Sequence, residues 1–243
     1  MALVPFRVSG PAADQSLQVR TMQLGGYAIR ITQDQQASAS LQPLQAGHHL
    51  SDEDALRRPG ERLDGVGFVV WQSAFVLLEY LLRCPPFGQW ADVRVVELGS
   101  GTGVGGIALV LAGADVLLTD LTHVVPLTSH NVTANCGEQN HRSSVCKYTW
   151  GDEVKPLGPQ PDLIIGSDVV YQQEYFDDLI DTIWRLSAPH TLTFLAYRVR
   201  GRGEDVFRAK LDKKGFAVIA LPPTSLHEEY ADGQYVILRI CKV

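Results

Sequence analysis

The sequence is poor in cysteine, and its few cysteines form no pattern that suggests a metal site or a disulfide framework. Four occur in 243 residues, at Cys84, Cys136, Cys146 and Cys241, and none belongs to a CxxC pair. Zinc sites and disulfide-stapled domains need closer or denser spacing. The histidines show no HExxH spacing. We therefore predict no metal ion, and free buried thiols in a reducing compartment.

Long apolar runs are also absent. The first 18 residues mix polar and apolar side chains and contain no apolar core of a secretory signal. No stretch is long and apolar enough to span a bilayer. We therefore expect no membrane partner and a cytoplasmic location, with the nucleus as an alternative. The Asn131-Val132-Thr133 glycosylation pattern is then interpreted as a chance match.

Positive charge is in the minority. The chain has 21 Lys and Arg residues against 27 Asp and Glu residues, a formal net charge of -6. A mildly acidic protein binds polyanions poorly in general, so nucleic acid is a disfavoured partner. The hydrophobic content of 45% and the length fit one α/β domain with a modest extension, which we expect to be a monomer.

Apolar periodicity predicts a hairpin followed by a strand–helix alternation. Residues 17–32 alternate around Gly25-Gly26 and predict two strands, whereas residues 33–64 predict a loop with a short helix from Asp52. An amphipathic helix is predicted at 68–82. Strands are predicted at 93–97, 115–119, 144–149, 163–166, 191–197, 216–221 and 234–241, and helices at 103–112, 125–136, 175–186 and 204–214.

This alternation predicts a fold class. Strands that alternate with helices pair in parallel through right-handed crossovers. The last two strands have no helix between them, which predicts an antiparallel pair at one edge. We therefore expect an α/β fold, a Rossmann-like seven-stranded and mostly parallel sheet with an antiparallel C-terminal hairpin, preceded by an N-terminal β-hairpin and helix extension.

A glycine-rich loop follows the first strand of the alternation, in Glu97-Leu98-Gly99-Ser100-Gly101-Thr102-Gly103. Glycines there let a ligand approach the backbone at the start of a helix. The glycines at 101, 103 and 106 fit the dinucleotide fingerprint, whereas those at 99, 101 and 103 fit the tighter loop that binds S-adenosylmethionine. Glu97 favours the second interpretation, because its carboxylate would attract a cationic methionine group and repel a pyrophosphate.

Asp120 ends the next strand, where a carboxylate can accept hydrogen bonds from both ribose hydroxyls of a bound nucleoside. Methyltransferases and NAD-binding proteins both use such a residue. Asp120 therefore supports a nucleoside ligand without deciding which one.

Three further blocks make the pattern more specific. They are Gly67-Phe68-Val69-Val70-Trp71, Tyr148-Thr149-Trp150-Gly151 and Ser167-Asp168-Val169-Val170-Tyr171. Together with the glycine loop and with Asn131 and Asn135, they resemble the methyltransferase-like protein lysine methyltransferases, seven-β-strand enzymes with a D-x-x-Y motif after the fourth strand. The resemblance extends from about Leu63 to the C-terminus. It divides the chain into an N-terminal extension, 1–62, and an S-adenosylmethionine-dependent methyltransferase domain, 63–243.

The resemblance implies a cofactor, S-adenosyl-L-methionine with S-adenosyl-L-homocysteine as product, and a role for each matching residue. Trp71 and the loop contact the cofactor, Asp120 holds its ribose, and Trp150 and Ser167 line the adenine side. Asp168 and Tyr171 border the methyl-acceptor channel as the catalytic pair. The predicted cofactor-binding residues are Trp71, Glu97, Gly99, Ser100, Gly101, Asp120, Trp150 and Ser167.

The chemistry of lysine methylation suits these residues. Lysine has a pKa of ~10.4 and must lose a proton before its amine can attack a methyl group. Asp168 could orient the incoming ammonium, and the Tyr171 ring could favour the cationic product. Arg198, Arg200 and Arg202 could meet an acidic protein substrate. The expected partner is a non-histone cellular protein of the chaperone, translation factor or AAA ATPase type.

Three other functions remain open from the sequence alone. The chain could methylate a small molecule or a nucleic acid, although it lacks the Asn/Asp-Pro-Pro-aromatic block of adenine methylases. It could be a non-catalytic scaffold that binds the cofactor. It could also be an NAD-dependent oxidoreductase, which would explain the glycines and Asp120 but not the tryptophan and D-x-x-Y blocks.

Overall fold

A computed structural model describes residues 17–34 and 66–243 of the chain. The short helix predicted from Asp52, with most of the loop around it, lies outside the described residues. The predicted N-terminal hairpin is present as strands β1, Val19–Leu24, and β2, Tyr27–Thr32, which pair antiparallel around Gly25-Gly26.

The main sheet has seven strands. They are β3 Arg94–Leu98, β4 Asp115–Asp120, β5 Ser143–Lys147, β6 Leu163–Ser167, β7 Leu192–Arg198, β8 Phe216–Ala220 and β9 Tyr235–Lys242. Their order is β5-β4-β3-β6-β7-β9-β8, and the first five in that order are parallel. Strand β9 runs antiparallel to both β7 and β8. The predicted Rossmann-like sheet with an antiparallel C-terminal pair is confirmed.

Among the described residues, five α-helices cover the two faces of this sheet. They are α1 Gln72–Arg83, α2 Val104–Ala112, α3 Val125–Cys136, α4 Phe176–Leu186 and α5 Glu204–Lys214. Successive side chains on a strand point to opposite faces, so Val95 packs in one apolar cluster and Val96 in the other. Helices α1, α2 and α3 bury the first cluster together with the hairpin, and α4 and α5 bury the second. No helix among the described residues is long and apolar enough to cross a membrane.

The strand order places a ligand site at β3. The chain passes from β3 to β4 on one side and later returns to β6 on the other. In open α/β sheets, ligands bind beyond the carboxyl ends of the strands where the order reverses. The residues that follow β3, β4 and β6 therefore face one crevice.

Two predicted boundaries are corrected. The helix predicted from residue 68 begins at Gln72, after a 3-10 helix at Val66–Phe68. Trp71, directly before α1, has an extended backbone. The preceding residue is held by the hairpin and by the residue that follows the hairpin, because the Val70 N–H donates to Gln33 Oε1 at 2.8 Å and the Val70 carbonyl accepts from Arg20 at 3.0 Å. Strand β5 ends at Lys147 and not at residue 149, because its partner β4 ends opposite Lys147, at Asp120.

Two asparagines on α3 attach the hairpin to the main domain. The Asn131 side chain accepts the Thr32 N–H at 2.9 Å and donates to the Thr32 carbonyl, also at 2.9 Å. Asn135, one helical turn further, does the same for Arg30. Asn131 also donates to the carbonyl of Thr102 in the glycine loop at 2.9 Å. The hairpin and the loop are therefore joined through one buried side chain.

The cysteines are free, but not all of them are buried. Cys136 is buried, Cys146 and Cys241 are partly buried, and Cys84 is exposed. The predicted burial of the thiols therefore holds fully for Cys136 alone.

Candidate active site

A pocket of about 620 Å³ opens at the carboxyl ends of β3, β4 and β6. That volume lies in the usual range for small-molecule sites. Residues from six parts of the chain meet there, including the glycine loop, the start of α1 and the segment after β7. Every predicted site residue except Glu97 lines it: Trp71, Gly99, Ser100, Gly101, Asp120, Trp150, Ser167, Asp168 and Tyr171.

The glycine loop presents backbone to this pocket. Gly99 and Gly101 have φ values of 68° and 53°, a left-handed conformation that strains other residues. A Cβ at Gly99 would lie 2.9 Å from Val169 and 3.3 Å from Trp150. A Cβ at Gly101 would lie 3.0 Å from the Gly67 carbonyl oxygen. A side chain at either position would collide with these neighbours, so the loop requires glycine there and borders the pocket with backbone.

Glu97 lies behind the loop, and its predicted placement is corrected. Its carboxylate accepts the N–H of Gly106 in α2 at 2.8 Å, and the residue is 3% exposed. Burial raises the pKa of Glu97 to about 8. The side chain is therefore mostly uncharged at neutral pH and supports α2 from below.

Asp120 lies at the end of β4 and faces the pocket. Its Oδ2 accepts the Gly101 N–H at 2.6 Å and its Oδ1 accepts the Leu121 N–H at 2.7 Å. Burial raises the pKa of this carboxyl group, and the two backbone N–H groups oppose the shift. Each carboxylate oxygen has a further lone pair. Asp120 can therefore fix the loop and still accept hydrogen bonds from two adjacent hydroxyls.

The two tryptophans lie at different parts of the pocket. Trp150 lies beside Gly99, after β5. Trp71 is 36% exposed, directly before α1, and the Arg200 guanidinium carbon lies 5.7 Å from its ring centroid. We call residues 99–101 with Asp120, Trp150 and Ser167 the cofactor side. The acceptor side consists of Asp168, Tyr171 and Arg200. Trp71, which the sequence predicts to contact the cofactor, also contacts Arg200 and so borders both sides.

Asp168 holds the centre of the acceptor side. Its backbone has a φ of 54°, and its side chain is 5% exposed. One carboxylate oxygen accepts the Ser73 N–H of α1 at 3.2 Å, and the other accepts from Arg200 Nη1 at 2.8 Å. The residue therefore supports the start of α1 and also borders the pocket.

Tyr171 also lines the pocket. Burial raises the pKa of its hydroxyl, so the phenol stays protonated at physiological pH. Tyr171 therefore presents a neutral ring and a neutral hydroxyl group.

The three predicted arginines differ in their position relative to the pocket. Arg200 and Arg202 line the pocket, whereas Arg198 donates to Gln234 Oε1 at 2.7 Å and does not line it. Glu204 was not predicted as a site residue. Its carboxylate accepts the N–H groups of Arg200 and Arg202 at 2.6 and 2.8 Å and so fixes the loop that carries them. Its position at the start of a predicted helix, after two glycines, was the available signal.

Metal ligation is not supported by the described part of the chain. Within residues 17–34 and 66–243, no group of three or more His, Cys, Asp or Glu side chains could hold a metal ion.

The sequence model of a family described as "Lysine methyltransferase" matches residues 50–214. This chain belongs to the lysine methyltransferase family. Among curated relatives, mouse Protein N-lysine methyltransferase METTL21A is 35% identical over 152 residues, which are 62% of this chain and 69% of that protein. Mouse EEF1A lysine methyltransferase 3 is 36% identical over 169 residues, 68% of each chain.

Solved structures of methyltransferases share the fold. The glycopeptide N-methyltransferase MtfA complexed with S-adenosyl-L-homocysteine superposes with a TM-score of 0.56 at 13% identity, covering 70% of this chain and 90% of that one. A ribosomal protein L11 methylase from Lactobacillus delbrueckii subsp. bulgaricus gives a TM-score of 0.51 at 17% identity, covering 71% and 79%. At these identities the likeness concerns the fold alone.

Family membership confirms the predicted enzyme class and cofactor. The lysine methyltransferase is an S-adenosyl-L-methionine-dependent methyltransferase, and the oxidoreductase alternative is wrong. The pocket fits this cofactor chemically. It combines a loop that presents glycine backbone, a carboxylate for ribose hydroxyls and an indole ring for a nucleobase.

Proposed function

We propose that this lysine methyltransferase methylates the ε-amino group of a lysine in a non-histone cellular protein. The observation that carries the proposal is the meeting of the two sides in one pocket: a backbone-lined cofactor side and an acceptor side with a carboxylate and aromatic rings. The names of two relatives, a protein N-lysine methyltransferase and an EEF1A lysine methyltransferase, support a protein substrate.

The proposed roles on the cofactor side follow from its geometry. Asp120 accepts the ribose hydroxyls, and residues 99–101 contact the methionine part through their backbone. Trp150 and Ser167 flank the adenine. Glu97 acts indirectly, because it supports α2 and the loop from behind. When bound, S-adenosyl-L-methionine supplies a sulfonium-activated methyl group and leaves as S-adenosyl-L-homocysteine.

The acceptor side has a simpler task, which is to position an amine and exclude water. A lysine ammonium that enters between aromatic rings loses hydration, and this lowers its pKa and favours the neutral amine. Positioning in line with the methyl group supplies much of the remaining rate enhancement. Asp168 orients the entering ammonium, and the Tyr171 ring stabilises the methylated cation by a cation–π contact. Trp71 closes the pocket between the two sides.

Domain limits, location and assembly complete the proposal. We assign residues 63–243 to the catalytic domain and residues 1–62 to an extension whose hairpin packs on it. We also propose a cytoplasmic protein, with the nucleus as the alternative, that acts as a monomer on a chaperone, translation factor or AAA ATPase. Cell fractionation and light scattering of the purified protein test the location and the assembly.

One labelling experiment tests the central claim. The purified protein is incubated with methyl-labelled S-adenosyl-L-methionine and a cell lysate, and labelled species are identified by mass spectrometry. We expect labelled lysine in a non-histone protein, and less label with Asp120→Ala when the cofactor concentration is limiting. Label in a small molecule or nucleic acid would contradict a protein substrate, and label in histones alone would contradict the non-histone target. Calorimetry should show binding of S-adenosyl-L-homocysteine and none of NAD.

A further inference from the structure

The proposed function assigns the carboxylate of Asp168 to the substrate ammonium, but in this structure that carboxylate already forms an ion pair with Arg200. Arg200 Nη1 lies 2.8 Å from Asp168 Oδ1, and the side chains are 26% and 5% exposed. The other oxygen of Asp168 accepts the Ser73 N–H. The guanidinium group also lies over the Trp71 ring, with 5.7 Å between its carbon and the ring centroid. Arg200 thus holds two of the groups that face an incoming lysine.

A lysine ammonium that approaches Asp168 therefore meets a positive charge of the enzyme. Like charges a few ångströms apart repel strongly where water is scarce. Asp168 is almost fully buried, so little water screens the repulsion. The lysine can use Asp168 only when another anion compensates the charge of Arg200 or draws its side chain away.

The Arg200 side chain can move while its backbone stays fixed. Glu204 accepts the backbone N–H groups of Arg200 and Arg202, so the loop is attached to the start of α5. The Arg200 side chain is about a quarter exposed, which leaves an outward path toward solvent. A Cβ at the neighbouring Gly201 would contact nothing within 4 Å, so space is open beside the loop.

The chemistry of the group that would receive Arg200 follows from its guanidinium. Arginine binds carboxylates through two parallel hydrogen bonds, a geometry that favours an Asp or Glu side chain of the substrate. Arg202 also lines the pocket and adds positive charge at the same rim. The rim is therefore complementary to an acidic surface next to the target lysine.

We propose that Arg200 is a specificity-determining residue that selects lysines with an acidic neighbour. In the free enzyme its guanidinium group is paired with the Asp168 carboxylate. A substrate carboxylate beside the lysine binds the guanidinium group in place of Asp168. The Asp168 carboxylate can then bind the lysine ammonium. A lysine without such a neighbour has to compete with Arg200 and is methylated slowly. The inference rests on the proposed lysine methylation and adds the chemical class of the substrate site.

The test uses the protein labelled in the lysate experiment, made in two forms. One is unchanged, and in the other the Asp and Glu residues nearest the target lysine are replaced by Asn and Gln. Both are methylated by wild type, Arg200→Gln and Arg198→Gln, and kcat/KM is measured. Arg198→Gln is the matched control, because it removes the same charge from the same segment without touching Asp168.

We expect wild type and Arg198→Gln to lose at least about tenfold in kcat/KM on the amide substrate, and Arg200→Gln to lose less than about threefold. Equal losses for wild type and Arg200→Gln would overturn the inference, as would a labelled lysine with no acidic neighbour. A loss of less than about threefold in Arg198→Gln as well would assign the effect to general charge and would also overturn it.

Two further measurements separate the ways in which the test can fail. Thermal unfolding checks the fold of Arg200→Gln. If that variant unfolds, Arg200→Lys takes its place, because it keeps the charge but loses the two parallel hydrogen bonds; an intermediate loss on the amide substrate then supports the inference, and a wild-type loss overturns it. If no enzyme labels any lysine while calorimetry still shows S-adenosyl-L-homocysteine binding, the proposed function itself is wrong, and the inference is withdrawn with it.

Discussion

The two sides of the pocket present different kinds of surface, one mainly backbone and the other mainly side chains. On the cofactor side, left-handed glycines present backbone to the ligand, and Asp120 and Asn131 fix that backbone by hydrogen bonds. On the acceptor side, the surface consists of side chains, and its centre is an ion pair between Asp168 and Arg200. A backbone surface tolerates few substitutions, whereas a side-chain surface can be changed one residue at a time. One fold can therefore keep its cofactor while it changes its acceptor.

The first prediction concerns the pH dependence of the free energy of unfolding. It isolates the contribution of Glu97, the buried carboxyl group behind the glycine loop. Glu97 has a folded-state pKa of about 8, above its ordinary value of 4.5. Its contribution to stability is fully present below about pH 4.5, because the proton is then bound in both states. Above that pH the unfolded state loses the proton first, so the contribution falls until the folded state also ionises near pH 8.

Denaturant unfolding from pH 4.5 to 8.5 measures this effect. The free energy of unfolding of wild type should fall relative to that of Glu97→Gln as the pH rises through this window. Other titrating groups cancel in the difference. A constant difference would show that Glu97 is ionised in the folded protein, and that the cofactor side is supported by a charge.

The second prediction addresses the acceptor side. Asp168→Ala should lower methyl transfer about a hundredfold, ~2.7 kcal/mol of barrier, because the ammonium loses its orienting carboxylate. Affinity for S-adenosyl-L-homocysteine should change little. Single-turnover transfer and calorimetry on one preparation measure both. Asp168→Asn is the control, since it keeps an oxygen for the Ser73 N–H. A parallel loss of affinity and melting temperature would instead assign Asp168 to the support of α1.

The third prediction tests the close packing under the glycine loop. A Cβ at Gly106 would lie 2.5 Å from Leu118 and 2.9 Å from Glu97. Gly106→Ala should lower the free energy of unfolding by ~1–3 kcal/mol, because both neighbours are buried. Leu118→Ala provides space, so the alanine at 106 should cost less in that background. Additive losses in the double variant would contradict a steric origin.

The fourth prediction returns to the cofactor side. Asp120→Ala removes the carboxylate that fixes Gly101 and faces the pocket. The dissociation constant of S-adenosyl-L-homocysteine should rise at least about tenfold, ~1.4 kcal/mol. Calorimetry measures it, and circular dichroism checks that the fold survives. Unchanged affinity would remove Asp120 from the cofactor site.

The smallest effect is expected at the Tyr171 hydroxyl. Tyr171→Phe keeps the ring, and the hydroxyl it removes stays protonated in wild type. Transfer should stay within about twofold, an energy of ~0.4 kcal/mol. A large loss would show that the hydroxyl group takes part, and would place more of the acceptor chemistry on Tyr171 than on Asp168.

The strands and the glycine loop were predictable because their signals are local. Apolar runs between turn residues indicate the buried strands, and the spacing of the glycines indicates the loop. The start of α1 was not predictable, because Arg20 of the hairpin and Gln33 directly after it bind the Val70 backbone through contacts distant in sequence.

The burial of Glu97 behind the loop could have been predicted from the sequence. Residues two apart on a strand point to the same face, so Glu97 shares the face of Val95, which packs in the cluster with α2. Strand alternation therefore predicts burial behind the loop. The pairing of Asp168 with Arg200 has no such signal, because it joins two loops that only the folded sheet brings together.

The asparagine contacts of α3 have a consequence for the hairpin as a surface. An exposed strand edge carries unpaired N–H and C=O groups that can recruit a strand of another molecule. Asn131 and Asn135 supply a donor and an acceptor each to Thr32 and Arg30 of β2, as a neighbouring strand would. A helix thereby completes the sheet edge with two amide side chains, and these positions of β2 are closed to intermolecular β-pairing and aggregation.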